Sequence, residues 1–181
     1  MKPSYILSAF LLAVISCNAL NAEEIVTFTC VTSNASPDAV SRLADEVMSD
    51  HEAGEQEPSS LQSIVDTIAT CIETESISEE MHERYLEGAI LTLTEAELRG
   101  RLSATGFDMK LAQELVSVMG DGQSVDVAEY IDARPETFKA EVERVAAITE
   151  FSMLEIAGLI GAYVGISDLQ NRYGSVAPAS D

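Results

Sequence analysis

Residues 151–166 read FSMLEIAGLIGAYVGI, and Glu155 is the only charged residue among them. A run this continuously apolar predicts a helix buried at the centre of the fold, with the other, amphipathic segments packed around it. Sixteen helical residues rise about 24 Å, short of the roughly 30 Å hydrocarbon core of a bilayer. Extending the run back to Val145 reaches spanning length but adds Glu150. Each carboxylate costs on the order of 2.5–3.5 kcal/mol at a bilayer centre, so a core helix is expected rather than an integral span. Gly158, Gly161 and Gly165 lie in the same run. Each weakens a helix by about 0.8–1 kcal/mol relative to Ala. They mark a candidate cavity or interface, a groove for close approach by a neighbouring helix or a second copy. Tyr163 sits among them and needs a hydroxyl partner if it is buried.

Working outward, the apolar spacing predicts about seven helical segments joined by short loops. This is an all-α, single-domain bundle with no repeat of fixed period. Ser36-Pro37 opens a first helix whose inward face is Val40, Leu43, Val47 and Met48. A second helix, residues 60–74, turns Leu61, Ile64, Val65, Ile68 and Ile72 inward, with Cys71 bordering that face. Ser76 and Glu79 have capping-box spacing and predict the start of a third helix. Thr94-Glu95-Ala96-Glu97 repeats the signature and predicts a new helix or a kink, which ends at Gly106. Asp108 caps a fifth helix that carries Leu111, Ala112, Leu115, Val116 and Met119, and a short helix ends near Ala133. Pro135 starts a final long helix, residues 136–166, with one added turn as far as Arg172.

The N-terminal 22 residues have Lys2, an apolar run from Tyr5 to Ile15, and small residues at Ala19 and Ala22. That is the pattern of an export signal. The domain boundaries expected are therefore a signal over 1–22, one helical domain over 23–174 and a frayed tail over 175–181. Two processing outcomes compete: cleavage after Ala22 or Ala19, or lipidation at Cys17. Val14-Ile15-Ser16-Cys17 resembles a bacterial lipobox, which implies a lipid anchor in the cell envelope. The near absence of a Ser/Gly tether after Cys17 favours cleavage and a periplasmic or secreted protein.

Export makes the cysteines readable. Beyond the signal only Cys30 and Cys71 remain, and in an oxidising compartment they are expected to pair. The run IVTFTCVT around Cys30 is strand-like, but no second such run exists to pair with it. It reads as an extended arm pinned by the disulfide. Asn34-Ala35-Ser36 also fits a glycosylation acceptor, which matters only in a eukaryotic secretory route.

The formal charge is −21, and loss of Lys2 with the signal makes it −22. Such a surface repels phosphates, so neither nucleic acid nor an anionic membrane surface is an expected partner. It suits a basic protein partner. No constellation identifies a reaction. Gly120-Asp121-Gly122 laid on a calcium-loop pattern puts Ala128 where the bidentate Glu belongs. His51 and His82 are the only histidines, and neither belongs to a metal or nucleophile motif. No cofactor and no catalytic residue is expected. The expected function is therefore non-enzymatic binding of a protein partner in the manner of an inhibitor or immunity protein. The alternative is a carrier or sensor of an apolar molecule or lipid, with its cavity beside Gly158 and Gly161.

Overall fold

A computed structural model describes residues 27–48, 59–120, 130 and 133–173. Among these residues there is no strand, and seven α-helices account for most of the chain. They are α1 (Thr29–Asn34), α2 (Pro37–Met48), α3 (Ser59–Glu75), α4 (His82–Ala104), α5 (Met109–Gly120), α6 (Ala140–Ile148) and α7 (Met153–Tyr173). A 3₁₀ turn, Glu79–Met81, leads into α4, and a π-helical turn, Pro135–Lys139, leads into α6. The all-α fold expected from the sequence is present, but the chain is divided into segments differently.

The segment around Cys30 is helical, not extended. With no partner strand in reach, β propensity yields to tertiary packing. Val31 is buried, and the Asn34 amide donates back to the Cys30 carbonyl at 2.8 Å. Cys30 and Cys71 are bonded, as expected, with S–S 2.00 Å and Cα–Cα 5.8 Å. The bridge fastens α1 to α3, and Phe28 lies over the next helix, its ring centroid 5.3 Å from that of buried Tyr85. A Cβ built on Gly88 would stand 2.5 Å from Phe28 Cζ, so glycine is what lets the ring seat there.

Two expected helix starts are something else. Ser76 ends α3: its φ is +55°, its N–H donates to Glu73 O, and the Ile77 N–H donates to Ile72 O. This is a Schellman termination with serine in the left-handed position usually taken by glycine. Thr94 caps nothing either. Its hydroxyl bonds the Ile90 carbonyl one turn back at 2.8 Å, and α4 runs unbroken through it for 23 residues. A threonine can satisfy its hydroxyl this way in mid-helix, which the capping-box spacing alone does not reveal. Gly106, at φ +77°, closes α4 as expected, and Asp108 caps α5 through the Lys110 N–H at 3.0 Å.

The predicted final helix is broken. The chain leaves the helical path at Thr149, whose ψ is 174°, and α7 starts afresh at Met153 and continues to Tyr173, one residue beyond the added turn expected as far as Arg172. The fold is otherwise organised around α7 as anticipated. It packs against α2, α4, α5 and α6. Its inward residues Ile156, Leu159, Ile160 and Val164 join Leu98, Leu102, Leu115, Phe138 and Val145 in the main core. Burying each such aliphatic side chain contributes about 1.5–3 kcal/mol, which is ample to hold one face of α7 down. The other face is open. Among further corrections, Val47 and Met48 at the end of α2 are exposed. Arg101 on α4 ties that helix to α2, donating to Asp45 and to both oxygens of Ser41 while bonding Glu97 on its own helix. No helix among the described residues is long and apolar enough to cross a membrane.

Candidate functional site

The break between α6 and α7 sets four large apolar side chains on the surface. Ile148, Phe151, Met153 and Leu154 are 64%, 48%, 52% and 83% exposed. Scattered apolar residues are normal on a protein surface, but four within seven positions form a patch. Local bonds hold it. The Thr149 N–H and hydroxyl both donate to the Val145 carbonyl, at 3.1 and 2.9 Å, and the Phe151 N–H reaches the Thr149 hydroxyl at 3.4 Å. Ser152 and Glu155 then form a reciprocal capping box.

From Leu154 the exposed face continues along α7 through Ala157, Gly158 and Gly161, at intervals of three and four residues that keep them on one side. A Cβ built on Gly158, Gly161 or Gly165 would meet nothing within 4 Å. Among the described residues, no side chain walls a cavity against these glycines. They front open space because α7 needs only one side to fill the core. Tyr163 is on the opposite, buried side and does not share a surface with them. Glu150 is exposed two residues after Ile148 and Glu155 one residue after Leu154, while Arg144, four residues before Ile148 on α6, is half-exposed and paired with Glu141.

A second feature lies where α4, α5 and α7 meet. A cleft of about 520 Å³ is lined by Glu95, Arg99, Gln113, Val116, Tyr163, Ser167, Gln170 and Asn171. It holds an ion pair: Arg99 Nη2 stands 2.5 Å from Glu95 Oε1, with the Glu95 side chain 8% exposed and the Arg99 side chain 55%. The Ser167 hydroxyl donates to the same oxygen at 3.4 Å. Burial alone would lower the Arg99 pKa, but hydrogen bonds to Glu95 and Tyr163 outweigh it and the pKa is raised. Tyr163 lines this cleft together with Arg99. Gln170 is braced by the Thr92 hydroxyl at 3.3 Å.

A smaller, apolar groove of about 270 Å³ runs between α3 and α4, lined by Val65, Ile68, Ala69, Ile72, His82, Glu83 and Leu86. His82 is occupied locally, its Nε2 3.1 Å from the Ile77 carbonyl oxygen. Among the described residues no three His, Cys, Asp or Glu side chains group as metal ligands. Cys17, His51 and residues 121–128 lie outside the described residues.

Sequence reasoning missed the cleft and the patch. The Glu95–Arg99 spacing of four was a visible signal for the first, and Ser152-x-x-Glu155, a capping box inside the apolar run, was one for the second. Comparison with protein-family models, with curated proteins and with solved structures found no match.

Proposed function

We propose that this is an exported, non-enzymatic helical protein that binds a basic protein partner, docking it on the Ile148–Leu154 patch and the open face of α7. The observation that carries the reading is the braced cluster of four exposed apolar side chains continuing into a smooth small-residue face. Such a cluster is the centre of an interface, where water is excluded, and a surface without side chains beside it lets a partner helix approach closely. Charge selects the partner. The chain carries −21 overall, and Glu150 and Glu155 are exposed within the same stretch as the patch, so a cationic amphipathic surface is attracted and an acidic one is turned away. Export is supported by the signal-like N-terminus and by the Cys30–Cys71 bond, which persists in oxidising compartments.

The carrier reading has one observation in its favour, the apolar groove beside Ile68 and Leu86. The test is a comparison of the mature protein with a Phe151→Ser/Leu154→Ser variant as bait in the native extracellular or envelope fraction. A basic protein that the parent holds at low salt, that high salt releases and that the variant does not hold supports the docking face. Equal retention by both baits overturns it. So does recovery of a lipid in place of a protein, or a concentration-dependent dimer abolished by the same variant.

A further inference from the structure

We infer that the cleft between α4, α5 and α7 is a second binding site, and that its ligand is a small zwitterion of the free amino acid or short peptide class. At about 520 Å³ the cleft falls within the roughly 300–1,000 Å³ of small-molecule sites. Among the described residues Val116 is the only aliphatic one in its lining, which disfavours an apolar cargo.

Charge narrows the ligand further. Glu95 and Arg99 together are neutral, in a protein whose surface is strongly negative. The overall field disfavours a free anion, and the guanidinium in the cleft disfavours a simple cation. A ligand bearing both charges meets both conditions. Arg99 is oriented by a nearly buried carboxylate while half of its own side chain remains exposed, so donors of its planar fork are available to a ligand carboxylate. Among the described residues Arg99 and Ser167 bond Glu95, both through Oε1, so its carboxylate retains acceptor capacity for an ammonium.

The rim completes the match. Gln113, Gln170 and Asn171 each carry a carboxamide, which donates and accepts, as peptide amides and amino acid side chains require. A polyhydroxylated ligand is less well served. The Tyr163 ring is 2% exposed and offers no face on which a sugar ring could stack.

The experiment is an NMR titration of the full chain with L-glutamine and glycylglycine, beside maltose, acetate and methylammonium. Saturable shifts from the zwitterions, confined to amides near Arg99 and residues 163–171, are expected. Arg99→Ala should weaken binding by about tenfold or more, the loss of one charge-assisted fork. Asn171→Ala, on the exposed rim, should weaken it without changing the melting temperature. The inference is overturned if no zwitterion saturates, if maltose or acetate binds as well, or if the zwitterions bind both variants like the parent.

Discussion

Ser152 and Glu155 cap each other. The Ser152 N–H and hydroxyl each donate to Glu155 Oε2 at 2.7 Å, and the Ser152 hydroxyl oxygen accepts from the Glu155 N–H at 3.2 Å. The one charged residue of the apolar run is therefore the device that starts α7. By starting it at Met153 the pair leaves residues 149–152 as a connection and turns Phe151 and Leu154 outward.

Ser152→Ala should lower stability by about 1 kcal/mol, the usual loss for an N-cap serine, read as a lower denaturation midpoint with an unchanged slope. Its effect on partner capture should exceed that of an exposed serine elsewhere, because the patch loses its brace. An unchanged midpoint would mean that the connection holds without the cap.

Acid should unfold the protein partly through two carboxylates. Hydrogen bonds from Ser152 hold the Glu155 pKa below its ordinary value, and Arg144 does the same for Glu141, helped by the Asp108 N–H and opposed by burial. A pKa depressed in the folded state contributes stability that is fully present above the unfolded value, near 4.3, and is lost as pH falls through the folded one. Glu141→Gln should therefore flatten the decline in stability below about pH 4.3 while costing stability at neutral pH. Chemical denaturation at a series of pH values reads both effects.

Glycine replacements should separate sharply by position. Gly88→Ala gains helix propensity but drives a Cβ to 2.5 Å from Phe28 Cζ, so a net loss of about 1 kcal/mol or more is expected from overpacking. Gly158→Ala and Gly161→Ala face open space and should each stabilise by about 0.5–1 kcal/mol. The same two changes should weaken partner capture if a partner helix seats on that face. Thermal melts alongside capture assays distinguish stabilisation from loss of docking.

Reduction of the Cys30–Cys71 bond, or its replacement by alanines, should cost about 4 kcal/mol in the chain-entropy account of a loop this long. The loosened α1 should release Phe28 from Tyr85. Tyr85 is fully buried, and burial together with its bond to Glu75 at 2.8 Å raises its pKa. Alkaline titration followed by tyrosinate absorbance should show a tyrosine that ionises only with unfolding in the oxidised protein and earlier in the reduced one.

Much of this was written in the local order of residues. Helical class, the Ser36-Pro37 and Asp108 starts, the Gly106 stop and the inward face of α3 follow from spacing and caps, which depend on neighbours three or four positions away. The pairing of Cys30 with Cys71 followed from counting once a signal was assumed. Other features had no local signal. Ser76-x-x-Glu79 and Thr94-x-x-Glu97 carry the same spacing as Ser152-x-x-Glu155, yet only the last is a capping box. Whether the helix before each serine or threonine ends or continues is decided by what its side chains pack against. The strand-like run at Cys30 became helical because the disulfide and the seat of Phe28 over Gly88 gave it a place in a bundle and no strand to pair with. The apolar run of α7 named the organising helix correctly but not its burial, because composition records how apolar a segment is and not how many sides are covered. Only packing against α2, α4, α5 and α6 decided that one face fills the core while Leu154, Gly158 and Gly161 look outward. The same packing brought Glu95, Arg99 and Ser167 from two helices to one cleft, a juxtaposition across 72 residues that no periodicity in the chain records.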